Sequence, residues 1–158
     1  MEDIKFQYYW HSPVGWLEIT ANDEQVISIY FKDNKIKING NQVNTVIKNT
    51  IEQLKAYFNG TLEEFSLPLR PEGTDFQQKV WEQLQTIPYG QTISYGEVAE
   101  KLGDSNKVRA VGSANGQNPI SIVIPCHRVI GANGALVGYG GGIDRKKWLL
   151  QHEGALLL

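Results

Sequence analysis

The sequence predicts two halves of different class, an α/β half over residues 1–73 and a mainly helical half over residues 74–158. Three observations carry this. Near the start, three short β-rich segments are separated by clusters of turn formers. A run of apolar residues at helical spacing comes next. Beyond residue 73, capping motifs and helical periodicity recur, interrupted by one short apolar run that reads as a strand.

Residues 4–10, 16–20 and 26–31 are the β-rich segments, and His11-Ser12-Pro13-Val14-Gly15 and Ala21-Asn22-Asp23-Glu24 are the turns between them. Two hairpins and a three-stranded antiparallel sheet follow. The lysine-rich residues 32–40 read as a loop. Val43, Val46, Ile47, Thr50, Ile51, Leu54, Tyr57 and Phe58 then fall on one helical face, and Asn59-Gly60 stops that helix. Residues 61–73 carry Pro68, Pro71 and Gly73 around an alternating Phe65, Leu67 and Leu69, which predicts a short edge strand leading into a linker. His11 reads as a turn residue, because no second ligand stands at metal spacing.

In the second half, Thr74-Asp75-Phe76-Gln77 is a capping box, and Phe76, Val80, Trp81, Leu84 and Ile87 form the buried stripe of a helix that Pro88-Tyr89-Gly90 ends. Ser94-Tyr95-Gly96-Glu97 opens a second helix through Leu102. Ser105 can cap a third running through Arg109 towards Asn115. Helix, glycine-containing turn, helix is the outline of a helix-turn-helix, although two adjacent amphipathic helices also occur in many domains that never meet DNA. Ala110, Gly112, Ser113 and Ala114 leave the third helix thin enough to lie close to a backbone. A last helix over residues 144–152 is packed down by Trp148, Leu149 and Leu150 and ended by Gly154.

Composition is ordinary for a globular chain of 158 residues, with 41% hydrophobic and 20% charged side chains. There is no run long and apolar enough for a membrane span and no signal-peptide pattern at the acidic start, so a soluble cytoplasmic protein is expected. The formal charge of -2 argues against holding nucleic acid by bulk electrostatics. Residues 1–73 carry 7 basic and 10 acidic side chains against 8 and 7 in residues 74–158, which leaves room for a DNA-binding face on the second half.

Residues 118–131, Asn-Pro-Ile-Ser-Ile-Val-Ile-Pro-Cys-His-Arg-Val-Ile-Gly, contain the single cysteine, Cys126. Ile120, Ile122, Val123 and Ile124 read as a short buried strand bounded by Pro119 and Pro125. A lone thiol is more often an inert small hydrophobe than a nucleophile, so both readings stand on spacing alone. Were the chain extended through Cys126 and His127, their side chains would face opposite ways, and a turn at Pro125 would bring them together. Asn118 could brace that turn.

Pro125-Cys126-His127-Arg128-Val129, preceded by Asn118-Pro119 and followed by Leu150-Gln151-His152-Glu153-Gly154, with Tyr95 and Arg109 at matching distances, resembles the O6-alkylguanine-DNA alkyltransferase family, the methylated-DNA:protein-cysteine S-methyltransferases. The resemblance is strongest over residues 74–154. It implies a ribonuclease-H-like first domain over residues 1–73 with no catalytic residues, and a winged helix-turn-helix over residues 74–158 that carries the chemistry. It implies single-turnover repair by direct reversal, in which an alkyl group leaves O6 of guanine, or O4 of thymine, in double-stranded DNA and stays on Cys126. By the same resemblance, Glu153 orients His127, His127 takes the thiol proton through a water, and Asn118 braces the loop. Tyr95 donates to N3 of the departing base. The carbonyls of Cys126 and Val129 accept from the exocyclic amine and the Gly140 amide donates to O6, with Tyr139 and Ser121 lining the pocket. Arg109 enters the stack in place of the rotated nucleotide, and Ala110, Gly112, Ser113 and Asn115 join Tyr95 on the minor groove. A monomer is expected, with cooperative binding on DNA left open.

No cofactor motif that could regenerate the thiol is visible, nor are the residues of a structural metal site assembled. Three departures stand out. Ser121 replaces an apolar residue common in relatives, and Gly140 a serine. Asn115-Gly116-Gln117 lacks the arginine that some relatives carry there. The rival readings are a damage sensor that does not react, a thiol hydrolase using Cys126, His127 and Asn118, and a regulator whose thiol senses alkylation. The alkyltransferase-like sensors lack the cysteine present here.

Overall fold

The computed structural model describes residues 5–34 and 43–156, which fall into two compact units. The first comprises Met1–Glu72 together with Pro119–Ser121, and the second Gly73–Asn118 with Ile122–Leu158. Ile4, at the start of the expected first strand, and most of the expected loop over residues 32–40 lie outside the described residues.

In the first unit, β1 (Phe6–Ser12), β2 (Gly15–Ala21) and β3 (Val26–Lys32) form an antiparallel sheet in that order. The alternation seen in sequence is real on β2, where Leu17, Ile19 and Ala21 are fully buried between less buried neighbours. Side chains organise both turns. The Ser12 hydroxyl donates to the Gly15 carbonyl at 2.7 Å, and Asn22 Oδ1 accepts from the amides of Glu24 and Gln25 at 2.9 and 2.7 Å. His11 lies within β1, its ring 4.7 Å from that of Trp16, and so belongs to a strand and not to the turn.

Helix α1 (Thr45–Phe58) is capped by Asn44, whose side chain accepts from the Ile47 amide. It buries Ile47, Thr50, Leu54 and Tyr57 completely. Val43, placed by periodicity on the same stripe, precedes the cap and is exposed. The edge strand expected over residues 61–73 shrinks to one parallel pairing at Leu69, where the Val26 amide donates to Pro68 and the Arg70 amide to Val26, both at 2.8 Å. Pro68 and Pro71 have no N–H with which to extend it. The edge of β3 takes a second short partner, since the Ile29 amide donates to Pro119 at 2.9 Å and the Ser121 amide to Ile29 at 3.0 Å.

The strand expected over residues 120–124 is therefore corrected. Only Ile120 pairs, and the chain then turns through Ile122, whose φ of 72° makes it the one described non-glycine residue in the left-handed region. A β-branched residue there costs about 1–3 kcal/mol. Ile120, Ile122 and Ile124 are nonetheless buried to 1% exposure or less, so the apolar run reflects burial and not strand geometry.

In the second unit, α2 (Asp75–Leu84) begins with both bonds of the capping box in place. The Trp81 ring lies against the Gly73 backbone, where a side chain would collide with it, and its indole N–H donates to the Ala114 carbonyl at 2.9 Å. The two-residue strands β4 (Ile93–Ser94) and β5 (Val129–Ile130) pair in parallel, which periodicity could not have shown. Helix α3 (Tyr95–Lys101) is capped by Ser94, whose Oγ accepts from the Glu97 amide at 3.1 Å, while the Glu97 carboxylate accepts from the Ser94 hydroxyl. The turn carries Gly103 at φ 90°. Asp104, not Ser105, then caps a 3-10 turn over Ser105–Lys107 that leads into α4 (Val108–Gly116). Helix α5 (Ile143–His152) ends at Gly154, with φ 77°. Leu149 and Leu150 hold it down as expected, whereas Trp148 is only half-buried and stacks on His152 at 5.1 Å.

Candidate active site

The backbone around Cys126 is set by two tight turns. Pro125 sits at φ −82° and ψ 63°, and the Cys126 amide donates back to the Ile124 carbonyl at 2.8 Å, which is an inverse γ-turn. A 3-10 turn over Cys126–Arg128 follows, so consecutive side chains fan out and do not alternate. Asn118 Nδ2 donates to the Ile124 carbonyl at 2.7 Å and so holds the γ-turn from outside.

Cys126 is buried. Burial pushes its thiol up to about 11, against the pull of the Asn118 side chain, the Lys146 ammonium and the Tyr139 hydroxyl, all of which favour the thiolate. Without a base the resting group is therefore a thiol at neutral pH, shielded from indiscriminate chemistry.

His127 is fully buried, with Nε2 2.7 Å from Glu153 Oε2. Burial lowers its pKa more strongly than Glu153 raises it, so the ring is neutral. A neutral imidazole beside a carboxylate carries its proton on Nε2 and donates it to Glu153, leaving Nδ1 as the basic nitrogen. Nδ1 has no partner among the described residues. Burial pushes the Glu153 carboxyl up, but the hydrogen bond from His127 and the bonds and charge of Arg128 outweigh it and hold the group well below the usual carboxylate range. Arg128 grips Glu153 with two bonds, Nε to Oε1 at 2.7 Å and Nη2 to Oε2 at 3.1 Å, and donates Nη1 to the Ile87 carbonyl.

Lys146 is fully buried on α5, donating to the Val129 carbonyl at 2.6 Å and the Val137 carbonyl at 2.9 Å. Burial brings its pKa down to about 8, against the pull of Cys126. Val137 also accepts from the Tyr95 hydroxyl at 2.9 Å, so one carbonyl joins α3, α5 and the glycine-rich loop over residues 131–142. In that loop Gly138 has φ 64°, and Gly140 packs on the Gly116 carbonyl so closely that a Cβ would lie 3.3 Å from it.

Of the residues singled out from sequence, Cys126, His127, Glu153, Asn118, Tyr139, Val129 and Tyr95 share this region. Arg109, Ala110 and Ser113 are exposed on α4, and a Cβ at Gly112 would lie 3.9 Å from the Tyr95 ring. Arg109 forms no ion pair with Glu100 or Asp104 among the described residues. One expectation is corrected: Asn115 is 1% exposed with Nδ2 on the Cys126 carbonyl at 3.3 Å, so it faces the nucleophile and not a groove. Ser121 is buried, with its amide on the Ile29 carbonyl at 3.0 Å.

Sequence reasoning missed Lys146, and it passed over Arg128 as a mere flank of the motif. Lys146 left a signal: with Leu149 and Leu150 it occupies an i, i+3, i+4 stripe, a lysine where an apolar residue belongs.

Comparison with known proteins agrees with this geometry. Residues 75–155 match the model of the 6-O-methylguanine DNA methyltransferase DNA binding domain, and residues 4–71 that of the ribonuclease-like domain of the same family. A methylated-DNA–protein-cysteine methyltransferase of Mycolicibacterium paratuberculosis is 48% identical over 145 residues, covering 90% of this chain and 88% of the relative. One from Methanosarcina acetivorans is 44% identical over 154 residues, covering 94% and 99%. The crystal structure of Mycobacterium tuberculosis OGT in complex with DNA superposes with a TM-score of 0.86 at 45% identity, covering 95% of this chain and 93% of that one. Both domain models match in order, and the buried cysteine with its His127–Glu153 pair lies in the second: the chain belongs to the 6-O-methylguanine DNA methyltransferase family.

Proposed function

We propose that this protein repairs DNA by direct reversal, moving a methyl or other alkyl group from O6 of guanine, and from O4 of thymine, to the sulfur of Cys126, once per molecule. The observation that carries the reading is a single buried thiol flanked by a His127–Glu153 pair and by three side chains that favour its anion. Double-stranded DNA is the partner, met through the minor groove by the thin face of α4, with Arg109 as the wedge where the nucleotide rotates out. The complex of the tuberculosis relative with DNA supports DNA as the partner. The protein acts as a monomer. No described helix is long and apolar enough to cross a membrane, and we place the protein with the DNA it repairs, in the cytoplasm.

Transfer begins when the thiol proton passes to His127 Nδ1, leaving a thiolate that Lys146, Asn118 and Tyr139 stabilise. The sulfur attacks the alkyl carbon in line. A C–S bond forms, the C–O6 bond breaks with its electron pair going to the base, and the base is neutralised by a proton from the Tyr95 hydroxyl. Tyr95 must first release the Val137 carbonyl. The product is a thioether, which offers no leaving group, so the protein is spent.

Intact-protein mass after incubation with a duplex carrying O6-methylguanine tests this. A gain of one methyl, mapped to Cys126 and stopping at one equivalent, is expected. Continuing turnover would indicate a hydrolase, and unchanged mass with tight lesion binding a sensor. Lys146→Met keeps length but removes the charge, so it should push the thiol above its present value and slow transfer by up to about tenfold for each pKa unit gained. Thiolate absorbance against pH, read beside the single-turnover rate, checks this. A slower rate with an unmoved thiol would assign Lys146 to loop architecture alone.

A further inference from the structure

Asn115 stands on the last turn of α4, its amide buried beside the nucleophile. The bond from Nδ2 to the Cys126 carbonyl fixes which way the amide points, because a carbonyl can face only the nitrogen end. The other end, Oδ1, is buried with no partner among the described residues. A buried acceptor left without a protein donor is costly and uncommon, and is satisfied by a bound water or by a group that binds there.

The neighbouring carbonyls each hold at least one donor, of the two that a carbonyl's lone pairs can take. The Cys126 carbonyl takes the Asn115 amide, and the Val129 carbonyl takes Lys146 Nζ at 2.6 Å. Asn115 Oδ1, held next to the Cys126 carbonyl by its own amide, takes nothing. A guanine presents a 2-amino group with two N–H donors, whereas a thymine has no amine.

We infer that Asn115 is a specificity-determining residue: its Oδ1 accepts an N–H from the exocyclic amine of the guanine that reacts at Cys126, completing a hydrogen bond absent from the free protein. This rests on the proposed transfer reaction and deepens it, because the same contact favours guanine lesions over thymine lesions.

The test uses the full chain and two duplexes that differ only at the lesion, O6-methylguanine in one and O6-methylhypoxanthine, which lacks the amine, in the other. Single-turnover rates are measured for the wild type, Asn115→Ala and Asn115→Leu. The wild type should favour guanine. Each variant should lose about three- to tenfold on guanine, the worth of one neutral hydrogen bond, and little on hypoxanthine, so that the ratio falls. Both rates come from one preparation, so partial unfolding cancels from the ratio. An equal loss on both duplexes, or an unchanged ratio, overturns the inference and leaves Asn115 a brace for Cys126. Should neither variant fold, the wild-type ratio decides, and equal rates overturn it. Absence of any transfer by the wild type overturns the repair reaction itself, and this inference with it.

Discussion

Replacing Cys126 with serine is expected to reduce alkyl transfer to background while lesion-bearing duplex is still bound. Oxygen for sulfur is nearly isosteric, and the buried hydroxyl has the Asn118 and Tyr139 side chains beside it, so the turns around residue 126 should persist. What is lost is the nucleophile. A thiol already held up to about 11 by burial can still be ionised by a well-placed base, whereas an alcohol in the same setting cannot, and its oxygen is far less polarisable. Gel-shift titration on a duplex containing O6-methylguanine, run beside peptide mapping for the methyl group, separates the two properties. Transfer persisting at the wild-type rate would place the acceptor elsewhere.

Glu153→Gln should be the most damaging substitution that leaves the thiol in place. Glu153 is fully buried and holds both His127 and the two-pronged Arg128, so a neutral amide strands a buried guanidinium. Breaking such a pair costs about 3–5 kcal/mol. His127 also loses the carboxylate that fixes its tautomer, and the general-base contribution should fall by about a hundredfold or more. Urea unfolding and single-turnover rates measure the two losses. A double change, Arg128→Met with Glu153→Leu, removes both charges together and should recover much of the stability but none of the rate.

The same pair predicts acid sensitivity. Glu153 is held below its ordinary value, so its contribution is whole above about pH 4.3 and drains away as pH falls further. His127 is also held below its ordinary value, so the fold resists protonating it, and stability begins to decline below about pH 6.5. Wild-type stability should therefore fall from near neutrality downward, with a steeper loss near the carboxyl range that Glu153→Gln lacks. Identical acid profiles for the two proteins would show that Glu153 is not the group responsible.

Much of this was legible in the chain because local chemistry and tertiary position agree. Thr74 and Gln77 form a capping box by identity and spacing alone, and Ser12 and Asn22 mark turns that their own side chains hold. Strand β2 alternates because one of its faces is fully buried. Where position overrode propensity, the sequence misled. Ile120, Ile122, Val123 and Ile124 look like a strand because they are buried, yet Ile122 takes a conformation that β-branched residues avoid. Asn115 sits between the exposed Ser113 and Gly116 on α4, and only the helical phase and its fit to the Cys126 carbonyl turn it inward. Lys146 interrupts an apolar stripe, but only the two carbonyls from other segments that meet it show why. The parallel pairing of β4 with β5 joins residues too distant for any local pattern to connect.

The membership of Pro119–Ser121 in the first unit bears on the order in which the chain can be built. The edge of β3 at Ile29 is completed by a segment that follows four helices later, immediately ahead of the strained turn and the reactive cysteine. During synthesis the first unit emerges with that edge unfinished, and it can close only once most of the second unit has left the ribosome. Folding of the two is thereby tied into a single late event, of the kind that a contact of long sequence separation makes slow. Cutting the chain at the boundary near residue 72 would not yield two finished pieces, because one would lack a partner for β3 and the other would carry a segment that belongs elsewhere.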